Sequence, residues 1–191
     1  MHEFIDNTVT FFINSVEDGG FLLGMFIIIL ESIIPILPLA IFIAFNIMAF
    51  GYFLGFLISY IATILGCLLA YFLVRKLFSN YVYRKSKENQ KLNKAVNSLE
   101  KIKFTSLVLI LALPFTPAFL INISAGLIKY NFKKFVYALL LSKISIVAFW
   151  GYIGSSAINN MKEPRVLIVL TILVLFCYWL SKIVNKKFKV E

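Results

Sequence analysis

The sequence predicts an all-α integral membrane protein built as an inverted repeat. Each half would consist of a re-entrant hairpin and a transmembrane helix, and an additional C-terminal transmembrane helix would follow. Hydrophobic residues make up 61% of the 191 residues and charged residues only 15%, whereas soluble domains are about one quarter charged. Several apolar stretches exceed about 18 residues, the length typical of membrane-spanning helices. Two of these stretches are interrupted by a Pro-x-x-Pro segment of the same spacing.

The chain begins with a segment that is only partly apolar. Residues 1–20 carry four acidic side chains and end in Gly19-Gly20. This pattern predicts an N-terminal peripheral helix that lies on the membrane surface and stops at the two glycines.

The membrane domain is expected at residues 21–160. Its predicted parts are a hairpin at 21–50, a span at 52–74, a basic polar segment at 75–103, a hairpin at 104–128 and a span at 135–157. Small residues recur every four positions in and beside the first span, at Gly51, Gly55, Ser59, Thr63 and Cys67. A stripe of this kind allows helices to approach closely in lipid. Residues 161–191 then supply a C-terminal transmembrane helix at 166–181 and a basic tail.

The two proline pairs predict that the hairpins turn back within the membrane. They are Pro35-Ile-Leu-Pro38 and Pro114-Phe-Thr-Pro117. Each proline removes a backbone donor and disfavours helical geometry in the residue before it. Backbone groups released in this way cannot face lipid, but they can line a cavity enclosed by protein. Ordinary proline kinks in full spans are the alternative interpretation.

The distribution of basic residues favours the re-entrant interpretation. Nine lysines and arginines lie between residues 75 and 103, and more follow at 129–134 and in the tail. If both broken runs return to the side they entered from, all of these groups lie inside, as the positive-inside rule requires. Two full crossings would separate them. The pattern therefore predicts a multi-pass membrane protein with a cytoplasmic C-terminus. The bias of the composition toward Ile, Lys, Asn and Phe resembles that of an AT-rich bacterium, so the expected location is the bacterial plasma membrane.

Other classes of protein fit the sequence poorly. The net charge of +10 is concentrated between apolar segments, which is typical of membrane orientation and not of nucleic-acid binding. His2 is the only histidine, so a metal site is not expected, and neither is a cofactor. No nucleophile–base arrangement indicates an enzyme. The expected partners are membrane lipids with anionic headgroups, and homo-oligomerisation is left open.

The order of these features resembles the DedA/VTT superfamily, also called the SNARE-associated Golgi protein family. The matching stretches are "LESIIPILPL" at 30–39, "AFGYFLGFLISYIATILGCLLAYFLVRK" at 49–76 with its aromatic-xxx-Arg feature Tyr71…Arg75, and "LPFTPAFLINISAGLIKYNFKKF" at 113–135. The resemblance implies two oppositely facing re-entrant hairpins and the movement of lipids between leaflets. Phospholipids and polyprenyl phosphate carriers are the cargoes proposed in the family, and some members are proposed to be proton-coupled.

Two departures set the chain apart from the DedA type. That type carries a Gly-acid pair after the second proline of the first hairpin, where this chain has Leu39-Ala40. It also tends to have an arginine just before the second proline turn, where this chain has Leu111, Ala112 and Leu113. The resemblance implies that these two charged residues engage a phosphate in the DedA type, and this chain lacks both of them. The chain is therefore placed in a divergent, Golgi-type bacterial branch.

Charged residues inside apolar runs are the first candidates for a transport or lipid-binding site. Glu31 is the only acid between Asp18 and Glu88, and a carboxylate at membrane depth is costly unless it is paired, hydrated or protonated. Lys143 lies within the span at 135–157 and is expected to meet Glu31 or a lipid phosphate, or else to extend toward the nearer headgroups. Arg75 suits phosphate, although it also suits the role of an orientation anchor.

The remaining candidates come from the repeated pattern around the prolines. Each Pro-x-x-Pro pair is followed by an asparagine, Asn46 or Asn122, and the second also by Gly126. The asparagines would accept freed backbone donors or contact headgroups. The full set of candidate lipid-binding residues is Glu31, Pro35, Pro38, Asn46, Tyr71, Arg75, Pro114, Pro117, Asn122, Gly126 and Lys143.

The leading functional hypothesis is a scramblase or flippase that moves phospholipid or polyprenyl-phosphate headgroups between leaflets. Two alternatives remain. One is a proton- or ion-coupled transporter of a small solute that uses Glu31. The other is a non-transporting membrane scaffold that recruits partners through its basic segment.

Overall fold

The computed structural model describes residues 10, 14, 18–34, 39–90, 93, 96, 100–116, 118–159 and 163–188. All regular structure in these ranges is helical, which confirms the predicted all-α class. The helices are α1 (Gly20–Ile33), α2 (Leu39–Leu77), α3 (Ser79–Glu88), α4 (Phe104–Ala112), α5 (Ala118–Leu127), α6 (Phe132–Asn159) and α7 (Pro164–Phe188). Most of the predicted peripheral helix at 1–20 lies outside the described residues, and so do Pro35, Pro38 and Pro117.

A sharp bend at Gly51 divides α2 into two arms. Gly51 has φ 76° and ψ 166°, a conformation that glycine adopts without the steric cost of a Cβ. The short arm is residues 39–50 and the long arm is residues 52–77. The two arms fold against each other, because a Cβ on Gly55 would collide with the main chain of Asn46 and Ile47. Gly51, which the small-residue stripe included, is exposed and acts as the hinge.

The first hairpin consists of α1 and the short arm of α2, which run antiparallel. A Cβ on Gly24 would collide with the side chain of Asn46, and Ile28 packs in one cluster with Ile43. Pairs whose numbers converge in this way show that the chain reverses direction between the end of α1 at Ile33 and the start of α2 at Leu39. The end of α1 also lies on the long arm, because a Cβ on Gly66 would sit 2.5 Å from the Cβ of Ser32.

The second hairpin consists of α4 and α5, joined by residues 113–117, and it is more open than the first. The two helices touch each other little. Instead, α4 packs on α6 and α5 packs on α2. A Cβ on Gly126 would sit 2.7 Å from the carbonyl oxygen of Tyr71, which fixes the end of α5 near the end of the long arm. The two halves are therefore packed differently.

Two apolar clusters hold these elements together, and each contains one hairpin. The first cluster joins the first hairpin to the long arm of α2 and to α6, through Ile28, Ile43, Ile47, Ala62 and Val147. The second cluster joins the second hairpin to the same two helices, through Cys67, Tyr71, Leu107, Leu111, Ala125, Phe135, Ala138 and Leu139. Positions that ascend along α2 meet positions that descend along α6, so these two helices run antiparallel.

Two helices in the described ranges are long and apolar enough to cross a membrane. They are Leu39–Leu77 and Phe132–Ala157, and the predicted spans at 52–74 and 135–157 lie inside them. The predicted span at 166–181 lies in α7, whose apolar part Ile168–Ile183 belongs to the shorter apolar helices. Many large apolar side chains on the outside of these helices are exposed, as expected for surfaces that face lipid.

We expect Gly66→Val to loosen the first hairpin from the long arm. Its side chain would meet Ser32 and the carbonyl oxygen of Ile29, 3.1 Å from the position of a Cβ. Overpacking of this kind costs about 1–3 kcal/mol, so the melting temperature of the detergent-purified protein should fall.

The matched control is Leu69→Val, which introduces the same side chain on the exposed side of the same arm. It should melt close to the wild type. Equal melting of Gly66→Val and the control would contradict the packing described for Ser32.

Candidate functional site

A cavity of about 350 Å³ lies between the two apolar clusters. It is bounded by the last turn of α1, the start of α2, the middle of the long arm, the turn and α5 of the second hairpin, and the middle of α6. Its lining residues are Glu31, Ser32, Leu39, Ala40, Thr63, Cys67, Pro114, Thr116, Ala118, Phe119, Asn122, Lys143, Ile146 and Trp150. The ends of both hairpins therefore share one cavity, which we call the central cavity.

The central cavity contains two opposite charges. Glu31 is partly buried in the last turn of α1, and Lys143 on α6 is only 2% exposed. The Lys143 ammonium is close enough to attract the Glu31 carboxylate electrostatically. Lys143 thus turns inward, toward the cavity, instead of extending outward along its helix to a headgroup surface.

The rest of the polar lining comes from small side chains. The hydroxyl of Ser32 donates to the carbonyl oxygen of Ile28 over 2.9 Å, and that of Thr63 donates to the carbonyl oxygen of Ser59 over 2.6 Å. Asn122 is 1% exposed, and its Oδ1 has no hydrogen-bond partner among the described residues. An unpartnered buried acceptor costs free energy unless a donor reaches it. The cavity therefore offers a cation, an anion and an acceptor.

Asn46 lies outside this cavity although the sequence pairs it with Asn122. Its Nδ2 donates to the hydroxyl of Ser59 over 3.1 Å and contacts the carbonyl oxygen of Gly24 at 3.5 Å. These bonds tie both arms of α2 to α1, which is a structural role. The two asparagines of the repeated pattern are thus used differently.

Tyr71, Arg75 and Gly126 form a second group at the far end of the long arm. The hydroxyl of Tyr71 donates to the carbonyl oxygen of Tyr130 over 2.7 Å. Arg75 donates to the hydroxyl of Tyr71 and contacts the same carbonyl at 3.5 Å. This network fixes the segment after α5 to the long arm, apart from the central cavity.

Some residues of the central cavity were not among the sequence candidates. Ser32, Thr63, Thr116 and Trp150 line it together with Pro114, which was a candidate. Thr63 belonged to the small-residue stripe, and Thr116 lies between two prolines, so both patterns held a weak signal. Nothing in the sequence marked Trp150 as a cavity residue, because aromatic residues are common near membrane interfaces. No group of three or more His, Cys, Asp or Glu in the described ranges could hold a metal ion.

Tyr83 connects the surface helix α3 to the second hairpin. Its hydroxyl contacts the Glu100 carboxylate and donates to the carbonyl oxygen of Ile128 over 2.9 Å. Partial burial, followed by the hydrogen bond to Glu100 and its negative charge, raises the pKa of Tyr83 to about 12. The phenol therefore stays protonated and able to donate over the whole physiological range.

The long apolar helices with exposed apolar side chains, and the charged groups in the cavity between them, are typical of a membrane protein. The VTT domain family matches residues 34–156, so the chain belongs to the VTT, or DedA, family of membrane proteins. This match confirms the resemblance seen in the sequence.

Two relatives from Bacillus subtilis (strain 168) are similar to most of the chain. The uncharacterized membrane protein YhjE is 26% identical over 160 residues, which cover 84% of this chain and 77% of YhjE. The uncharacterized protein YqeD is 26% identical over 151 residues, which cover 78% of this chain and 73% of YqeD. No solved structure matches the chain.

The stabilities of Glu31 and Lys143 variants should be coupled. We expect the effects of Glu31→Gln and Lys143→Met on the free energy of unfolding to deviate from additivity by about 1 kcal/mol, because each variant leaves the opposite charge unpaired in the cavity. Unfolding of the two single variants and the double variant in detergent measures this coupling.

Lys134→Met provides the control cycle with Glu31→Gln. Lys134 lies on the same helix but is exposed, so its effect should be additive with that of Glu31→Gln. Additivity in both cycles would show that the two charges in the cavity do not interact.

Tyr83 should lose its proton at a higher pH than an ordinary tyrosine, and it should stabilise the fold at lower pH, where the phenol is protonated. Because its pKa is raised from the ordinary value of 10.0 to about 12, its contribution to stability is complete below pH 10 and is lost as the pH rises toward 12. The difference between the alkaline ultraviolet titrations of the wild type and Tyr83→Phe isolates this phenol. A difference curve centred near pH 10 would contradict both the partial burial of this phenol and its contact with Glu100.

Proposed function

We propose that this VTT-family protein moves lipids between the two leaflets of the plasma membrane. The observation that carries this proposal is the central cavity shared by the ends of both hairpins, in which Glu31 and Lys143 supply opposite charges. Such a cavity allows a polar headgroup to pass through the protein while its acyl chains stay in lipid.

The contacts along the long arm of α2 support two re-entrant hairpins. The long arm is about 39 Å long at 1.5 Å per residue, and Gly66 lies about 21 Å from its start. Ser32, near the end of α1, packs against Gly66, so the first hairpin reaches about half the length of the arm. The break of the second hairpin, at Pro114 and Thr116, lines the same cavity as Cys67, which is one residue beyond Gly66 on the long arm. The C-terminal end of α5, at Gly126, lies beside Tyr71, farther along the arm. The two hairpins thus approach the middle of one helix from opposite ends.

The charge distribution supports the orientation. If the C-terminal end of the long arm lies on the cytoplasmic side, the basic groups at 75–103 and 129–134 lie on that side as well. This is the arrangement that the positive-inside rule requires. The tail after α7 then also lies in the cytoplasm.

The chemistry of the central cavity suits a phospholipid headgroup that carries both charges. Lys143 would attract the phosphate, and Glu31 would attract an amine. The unpartnered Oδ1 of Asn122 would accept a hydrogen bond from an amine or a hydroxyl. Aromatic residues beside these groups, Phe119 and Trp150, present an apolar wall to the upper part of the acyl chains.

Leaflet exchange of a fluorescent phospholipid in proteoliposomes tests the proposal. We expect the wild type to exceed empty vesicles, and the Glu31→Gln/Lys143→Met double variant to lose about tenfold in rate, which corresponds to about 1.4 kcal/mol of barrier. The control variant Leu69→Val changes an exposed residue and should exchange lipid at the wild-type rate. Wild-type protein that gives no more exchange than empty vesicles would refute the proposal.

The volume of the cavity favours one alternative. About 350 Å³ falls within the range of small-molecule sites, as a proton- or ion-coupled transporter of a small solute would require. Under that alternative, Glu31→Gln would abolish uptake of the solute while lipid exchange, if present, persisted.

A further inference from the structure

We propose that a second cavity, at the far end of the long arm, binds the phosphate group of an anionic membrane lipid. This cavity has a volume of about 370 Å³ and is lined by Phe72, Arg75, Lys76, Ser79, Asn80 and Lys129. We call it the basic notch. It shares no lining residue with the central cavity, and Arg75 lies about 12 Å along the helix axis beyond Cys67. Its assignment to lipid rests on the membrane crossing of α2 in the proposed function.

The positive charge of the basic notch favours the binding of an anion. Three cations from two separate elements line it, and none of its described lining residues is acidic. Like charges held together repel unless an anion or solvent screens them. Glu100, an acid in this part of the fold, contacts Tyr83 and lines a neighbouring cavity that Lys129 also lines, but it does not line the basic notch.

Arg75 is held in place and still has donors to offer. One guanidinium nitrogen contacts the hydroxyl of Tyr71 and the carbonyl oxygen of Tyr130, which holds that nitrogen in place. Guanidinium carries five N–H donors in a fixed fork. The remaining donors match the oxygens of a phosphate.

Lys129 occupies a backbone position that normally favours glycine. Its N–H bonds to the carbonyl oxygen of Gly126 over 3.2 Å, and the N–H of Tyr130 bonds to that of Ala125 over 2.9 Å. This pair of bonds is the Schellman motif that ends a helix, and its left-handed residue is usually glycine. Lys129 has φ 53° and is the one non-glycine residue of positive φ in the described part of the chain. A strained lysine in place of glycine indicates a role for its side chain.

The side chain of Lys129 is positioned at the basic notch by two contacts. Its Nζ donates to Oδ1 of Asn80 over 2.8 Å and lies 5.8 Å from the centre of the Tyr83 ring. The ammonium carries three donors, so these contacts hold it while leaving donors for a phosphate.

The surroundings of the basic notch favour a lipid phosphate over a free one. Phe72 lines it and is 47% exposed, and its neighbours on the long arm, Leu73 and Leu77, are exposed as well. Phe72 also packs on the ring of Phe132 at 5.1 Å. Cationic groups therefore border directly on an apolar surface, which matches a molecule with a phosphate at one end and acyl chains at the other.

Lys129→Asn tests the site without disturbing the backbone, because asparagine also tolerates the left-handed conformation. Lys133→Asn removes the same charge from an exposed position of α6 that does not line the basic notch. Native mass spectrometry of the full chain in detergent, titrated with phosphatidylglycerol, gives the affinity. We expect Lys129→Asn to weaken binding about tenfold, the size of one hydrogen bond to a charged group, and Lys133→Asn to stay within about twofold.

Parallel titrations decide between the sources of phosphate. Phosphatidylcholine should bind more weakly than phosphatidylglycerol, and inorganic phosphate more weakly still. Equal weakening by Lys129→Asn and Lys133→Asn would overturn the site, and inorganic phosphate that binds as tightly as phosphatidylglycerol would overturn the lipid assignment.

Melting curves of both variants show whether the fold is kept. Because binding is measured without transport, a chain that binds phosphatidylglycerol here but exchanges no lipid would refute the proposed function and leave this site intact.

Discussion

The charged and polar groups between the two apolar clusters impose the constraint on which the rest of the structure depends. Glu31, Lys143 and Asn122 lie between two apolar clusters, and burial of such groups is costly unless other protein groups surround them. The two clusters above and below supply that enclosure, since each one joins a hairpin to both α2 and α6. Pro114 and Thr116, in the break between α4 and α5, form another part of the cavity wall. The buried apolar side chains therefore form two clusters, with the central cavity and its few polar groups between them.

The long arm of α2 is the surface on which both hairpins are assembled. Its inward side carries small residues, so the backbones can approach closely. Gly55 and Gly66 meet the first hairpin directly, and Thr63 and Cys67 face the central cavity. Farther along, the larger Tyr71 fills the second cluster and bonds to the segment after α5. One helix therefore contacts both hairpins, the first through small residues and the second through Tyr71.

The basic end of the fold is held together by hydroxyl groups. Tyr71 and Tyr83 both donate to backbone carbonyl oxygens of the segment that follows α5, and Arg75 is fixed through Tyr71. These bonds join the long arm, the surface helix α3 and the second hairpin into one unit. A headgroup bound at the basic notch would contact this unit, so binding there and the arrangement of the second hairpin are linked in space.

The sequence by itself determined the membrane class and the positions of the helix breaks, because composition and the rules for proline act locally. It also determined the VTT family, because the matching stretches occur in the same order along the chain. It also made Glu31 and Lys143 candidates, since a charge inside an apolar run is costly wherever that run folds, and the structure places both in one cavity. It could not determine that Asn46 ties helices together while Asn122 lines the cavity, because both follow the same local pattern. Nor could it show that Lys129 adopts a glycine conformation beside Asn80. Those outcomes depend on which helices meet, and that is decided by the fit of side chains across distant parts of the chain.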